Sequence, residues 1–217
     1  MRRRDVHASV TSSARHRSEA GATLVEMAIV AILFFVVVFA MTEYGLLFRD
    51  NLTATDAVAD AARIGGVVGP AVSELGGNAD FEIVKAVRDG LASMNDEDID
   101  YVVVFRANGS SNPAEDQLPL SCKNGNPVNG ICNVYPTASA FRAAQQGTAS
   151  YFDCPPSNVG PSCAWDPATR SDGSDGRPID NLGVYVRIDR DGYTGLFGND
   201  WTITRAQTTR LEPGTRG

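Results

Sequence analysis

The side chains able to do chemistry are spread unevenly over the 217 residues. The only histidines, His7 and His16, lie in a basic leader, so nothing after residue 16 can build a Ser-His-Asp or Cys-His nucleophile or a histidine metal site. No P-loop, nucleophile elbow or H-E-x-x-H pattern occurs. Carboxylates remain, and a pair of them can run glycosidase chemistry, so a membrane-anchored or secreted hydrolase using carboxylates is the alternative function. The acidic runs NDEDID (95–100), SDGSDG (171–176) and DRDG (189–192) read as solvated connections and Asp-Gly turns, since none continues into the EF-hand spacing. No metal, cofactor or small-molecule substrate is expected.

Four cysteines, Cys122, Cys132, Cys154 and Cys163, fall in a region rich in Gly, Pro, Asn and Ser. The spacing lacks the C-x₂₋₄-C pair of structural zinc sites, and an even count in an exported domain reads as two disulfides. Three connectivities are open. The local pairing, Cys122 with Cys132 and Cys154 with Cys163, closes two short loops that already hold turn residues, each worth about 2–3 kcal/mol.

One carboxylate is out of place. Glu26 stands inside EAGATLVEMAIVAILFFVVVFAM, residues 19–41, where a charge at membrane depth costs roughly 2.5–3.5 kcal/mol unless it reaches the interface or finds a partner. The first 21 residues carry five arginines against Asp5 and Glu19, a net +3, while the remainder, with 14 basic and 24 acidic side chains, carries −10. Such a positive flank stays in the cytoplasm, so the acidic remainder is translocated. An acidic exported domain also excludes nucleic acid as a partner.

The elements that position these residues follow from periodicity. Residues 1–21 form a basic leader, of which 1–18 read as disordered; 22–48 form a transmembrane helix; 49–217 form an extracytoplasmic domain. The helix continues past the membrane as an amphipathic, alanine-rich segment that Gly65-Gly66 and then Gly69-Pro70 should stop. Asp80 is placed to cap a second helix through FEIVKAVRDGLASM. DIDYVVVFRA reads as a buried strand, 139–146 as a short helical patch, and NLGVYVRIDRDG and WTITRAQTTRLEP as two more strands. The expected class is α+β, a small antiparallel sheet with disulfide-stapled loops laid against the long helix. A plain signal anchor and a cleaved secretory signal are the competing readings of the amino terminus.

A basic leader ending in Gly21, followed by an apolar helix whose fifth residue is Glu26, resembles the processing site of type IV pilins. The resemblance implies cutting by a prepilin peptidase between Gly21 and Ala22, and pairing of Glu26 with the new terminal amine of a neighbouring subunit. That pairing supplies the partner which desolvation demands. Glu43-Tyr44-Gly45, followed by LLFRDNLTATDAVADAARIGG, is similar to the TadE family of minor pilins or pseudopilins of tight-adherence (Flp) pili. The resemblance spans about residues 17–66, and the stretch 107–181 has no place in that pattern. It implies a non-enzymatic role in pilus assembly, adhesion and surface attachment. The implied location is the bacterial inner membrane, single-pass with a cytoplasmic amino terminus, and the implied partners are prepilin peptidase, other pilins, the inner-membrane assembly platform and membrane lipid.

Overall fold

The structure is a computed structural model that describes residues 15–69, 78–109, 113–154, 163–195, 197–198 and 200–213, with side chains from residue 21 onward. Helix α1 (Arg15–Val68) is followed by α2 (Ala79–Gly90), β1 (Ile99–Ala107), α3 (Leu120–Lys123), β2 (Cys132–Pro136), α4 (Thr137–Gln145), β3 (Asn181–Arg190) and β4 (Trp201–Arg210). The chain divides into two compact units, one ending at Gly45 and one beginning at Leu46.

The first unit is the apolar part of α1. Its large side chains from Leu24 to Met41 are exposed, and no residue of its most apolar stretch is buried. Helix α1 already begins at Arg15, so residues 15–18 are helical where the sequence reads as disordered; that reading of residues 1–14 lies outside the described residues.

The second unit is an antiparallel sheet in the order β2-β1-β3-β4, covered on both faces. On one face Val102 and Val104 of β1 and Leu182, Val184, Val186 and Ile188 of β3 meet Ala54 to Ala62 of α1 together with α2 and α4 in the larger core. On the other, Tyr101, Val103 and Phe105 pack with Leu118, Cys122, Cys132 and Tyr185. Coverage on both faces explains why β1 reads as an unbroken apolar run rather than an alternating one. Disulfides join Cys122 to Cys132, tying α3 to β2 within the smaller core, and Cys154 to Cys163.

Three local expectations need correction. Gly65 and Gly66 stay helical, because they serve close packing: a Cβ on Gly65 would lie 2.9 Å from Ile83 and Leu182, and one on Gly66 3.0 Å from Thr209. The helix ends instead at Gly69, whose positive φ of 41° an L side chain disfavours. Asn78, not Asp80, caps α2, its Oδ1 accepting from the amides of Asp80 at 2.9 Å and Phe81 at 3.4 Å. Strand β2 has no counterpart in the sequence pattern because its five residues lie among turn formers, and it pairs with β1 from Tyr101–Pro136 to Phe105–Cys132.

Helices α1 and α2 approach very closely where Gly90 faces Ala57: a Cβ on Gly90 would stand 2.6 Å from that of Ala57. Helix propensity alone gives Gly90→Ala a gain of up to about 1 kcal/mol. The clash dominates, and we expect the variant to lose about 1–3 kcal/mol in urea unfolding, with Ala57→Gly recovering part of the loss in the double variant.

Candidate functional site

On α1 the residues expected to act in processing and assembly are open. Gly21, Ala22 and Glu26 are exposed, Glu26 among exposed Leu24, Val25, Met27 and Ile29. A Cβ added at Gly21 or Gly45 would meet nothing within 4 Å, so packing inside the chain does not require glycine at either place. The Glu43-Tyr44-Gly45 step is divided: Tyr44 is exposed, whereas Glu43 is 0% exposed. Glu43, Leu47, Asp50, Ala54, Ala57 and Ala61 recur at intervals of four and three and are all buried, forming one face of the helix.

Asp50 makes an ionic contact from that face. Its Oδ2 accepts from Arg190 Nη1 at 2.7 Å and from the Tyr193 hydroxyl at 3.1 Å, and the Arg190 guanidinium lies over the Tyr193 ring at 4.5 Å. Burial first, and then the charge of Asp50, raise the Tyr193 pKa. Further along, Arg205 of β4 donates to Asn51 Oδ1 and Thr55 Oγ1. The amphipathic pattern could have flagged Asp50, a charge in register with small apolar residues; nothing in the sequence named its partner.

A second ionic cluster joins α2, β2 and the segment before β3. Arg170 and Asp80 are both fully buried, with Nη1–Oδ1 at 2.6 Å and Nη2–Oδ2 at 2.9 Å. Asp80 Oδ2 also accepts from the Tyr135 hydroxyl at 2.6 Å and Asn133 Nδ2 at 2.8 Å. Asn133 Oδ1 accepts from the amides of Ala164 and Trp165, and the Trp165 ring lies under the Arg170 guanidinium at 4.1 Å. Burial, followed by the Asp80 charge, holds the Tyr135 hydroxyl well above its ordinary pKa near 10. A carboxylate so enclosed and so fully donated to is suited to joining three elements rather than to proton transfer.

The sequence-flagged acids at 95–100 and 189–192 do come together, at the end of the sheet where β3 ends and β4 begins. Glu97, Asp98, Asp189, Asp191 and Asp200 line an open trough of about 530 Å³ with Arg187 and Arg190 among them. Arg187 lies 3.0 Å from Asp189 and Arg190 lies 3.9 Å from Asp98, while Thr202 donates to Asp189 at 2.6 Å. The hydrolase reading calls for two carboxylates converging in a deep pocket; this trough is open, and arginines stand among its acids. The run at 171–176 lies apart from it, its Asp175 held by Arg177 and Ser171.

Removing one partner of a buried pair strands the other charge. Arg170→Met is expected to destabilise the second unit by about 3–5 kcal/mol in urea unfolding, and Arg170→Met with Asp80→Leu by less. Tyr135 and Tyr185, the latter pushed up to about 12 by burial and then by Tyr101, titrate later in the folded chain than when unfolded. Their contribution is whole below their ordinary pKa near 10 and is lost as pH rises through the folded values. Melting temperature measured against pH should fall above about 10, less steeply in Tyr135→Phe than in the unsubstituted chain.

No curated protein and no solved structure matches this chain. Residues 21–63, the stretch of α1 that carries Glu26, Glu43, Tyr44 and Gly45, match the family model described as TadE-like protein.

Proposed function

We propose that this chain is a non-enzymatic minor pilin or pseudopilin that takes part in assembling a tight-adherence pilus. The family match points to tight-adherence pilus systems, and the observation that carries the finer reading is the exposed apolar helix that the match covers. Large apolar side chains from Leu24 to Met41 need an apolar medium, and the helix is long enough to find it in a bilayer. It suggests a single-pass membrane anchor. The leader charge supports an orientation with the leader in the cytoplasm and the acidic unit outside, and the resemblance to TadE-like proteins supports the bacterial inner membrane as the membrane.

Glu26 gives the anchor its second purpose. In lipid, or in a bundle of such helices, its carboxylate needs a cation, and cutting between Gly21 and Ala22 creates one at the terminus of each neighbouring subunit. Prepilin peptidase is the first partner, and other pilins and the membrane assembly platform are the later ones. The open space at Gly21 and Gly45 supports this, since it leaves room for another chain to approach the backbone. Adhesion and surface attachment belong to the assembled pilus. The second unit contributes an acidic, disulfide-stapled surface for recognising partners.

Mass spectrometry of the protein recovered from host membranes tests the processing step. The expected terminus is Ala22, lost when the prepilin peptidase is deleted; an intact leader would leave a plain anchor. Glu26→Ala should impair pilus assembly while leaving the thermal unfolding of the second unit unchanged. Normal assembly by that variant would remove the pairing role of Glu26.

A further inference from the structure

Helix α4 ends in a turn that folds the chain back along its own surface. Gly147 takes a positive φ of 68°, its amide donates to the Ala144 carbonyl at 3.2 Å, and the Thr148 amide donates to that of Ala143 at 2.9 Å, the bonding of a glycine-terminated helix. The chain then makes a single 3-10 turn over Ala149–Phe152 that lies against α4. Between the two is an open cavity of about 360 Å³, in the size range of small-molecule sites.

The cavity has an apolar wall and a polar rim. Ala143 and Tyr151, both largely buried, form the wall. Tyr151 is held in place: its hydroxyl shares a 2.8 Å hydrogen bond with Ser139 Oγ, and its ring meets that of Phe152 edge-on at 5.0 Å. Ser139, Arg142 and Gln146 recur at intervals of three and four on the face of α4 that borders the cavity, and Thr148 joins them from the turn. Ser139 is satisfied by Tyr151 and by the Pro136 carbonyl. The exposed side chains of Arg142, Gln146 and Thr148 make no hydrogen bond or ion pair among the described residues. Of the acids that crowd this unit, none described pairs with Arg142.

A guanidinium, a carboxamide and a hydroxyl set around an apolar wall complement a ligand with a carboxylate, a row of hydroxyls and one apolar face. A uronic acid ring has all three. A simple acid, or an acidic side chain of a partner protein, would engage Arg142 alone and leave Gln146 and Thr148 to water.

We propose that this cavity binds a uronic acid ring, its carboxylate on Arg142, its hydroxyls on Gln146 and Thr148 and its C–H face on Tyr151. The site lies wholly in the second unit, so the inference goes beyond the assembly role and stands whether or not α1 is processed. The negative charge of that unit opposes an anion at a distance, so binding is weak and depends on close contact with Arg142.

Saturation-transfer difference NMR on the full chain, reconstituted in phosphatidylcholine nanodiscs, reads weak binding directly. Glucuronate should give a saturable signal. Glucose, the same ring without the carboxylate, and acetate, a carboxylate without the ring, should each bind at least about tenfold more weakly. Arg142→Gln should weaken glucuronate about tenfold and leave glucose unchanged, whereas Gln146→Leu should weaken both. Thermal unfolding of both variants should match that of the unsubstituted chain, since neither side chain has a partner to lose. Absence of a glucuronate signal overturns the proposal, as does glucuronate binding that Arg142→Gln leaves intact, which would put the sugar elsewhere. Acetate, or an N-acetylated aspartyl amide standing for an acidic partner protein, bound as tightly as glucuronate would mark a site for a bare carboxylate and defeat the sugar assignment.

Discussion

The second unit is built against a helix face on which, beyond Asp50, no side chain is larger than valine. Ala54, Ala57, Val58, Ala61, Ala62, Gly65 and Gly66 of α1 are all buried, and each bears on how near the sheet and α2 can come. Small residues shift the burden of packing to the partners: Ile83 and Leu182 close on Gly65, Thr209 on Gly66, and Gly90 of α2 on Ala57. Dispersion falls away over a fraction of an ångström, so such a seam is cohesive only when its fit is tight. The same logic recurs across the sheet, where Gly183 of β3 leaves room for the ring of Phe105; a Cβ there would overlap the Cζ edge of that ring.

Around that seam, charges join elements that apolar packing alone would leave interchangeable. Asp50 binds α1 to the end of β3, while Asp80 binds α2 to β2 and, through Arg170, to the segment before β3. Burying an ion pair is weak evidence of stability, since the desolvation of two charges offsets much of their attraction. Directionality is the firmer consequence: a bidentate guanidinium and a tyrosine hydroxyl accept few alternative arrangements. The opposite sheet face relies on a covalent link instead, with buried Cys122 of α3 joined to buried Cys132 of β2.

The sequence made the regular elements legible where a period was present. The alternation through Leu182 to Ile188 marked β3, the three- and four-residue spacing from Phe81 to Leu91 marked α2, and the long apolar run marked α1. What stayed hidden was decided by tertiary contact. Gly65 and Gly66 read as a helix stop because propensity is a local preference, and packing against Leu182 and Thr209 overrode it. Asp80 read as a cap because an acid at a helix start usually is one; its true partner, Arg170, lies 90 residues away and carries no local mark. The residues of the TadE-like resemblance, by contrast, form a contiguous string, which is why the helix bearing Glu26 could be recognised before any contact was known.

Asp50 of α1 bonds Arg190 at the end of β3, while Gly66 faces Thr209, opposite Leu182 near its start, so α1 beyond Leu46 runs antiparallel to β3, a course that bears on mechanics. A tension applied along α1 acts parallel to the sheet strands, and the attachments resist it side by side: Arg190 on Asp50, Arg205 on Asn51 and Thr55, and the Glu212 amide on the Gly66 carbonyl at the far end. Ties arranged along the pulling axis share a load in shear, whereas ties across it would open one after another like a zip. A pull on α1 beyond Leu46 would thus load these ties together, and the sheet would be hard to strip from the helix.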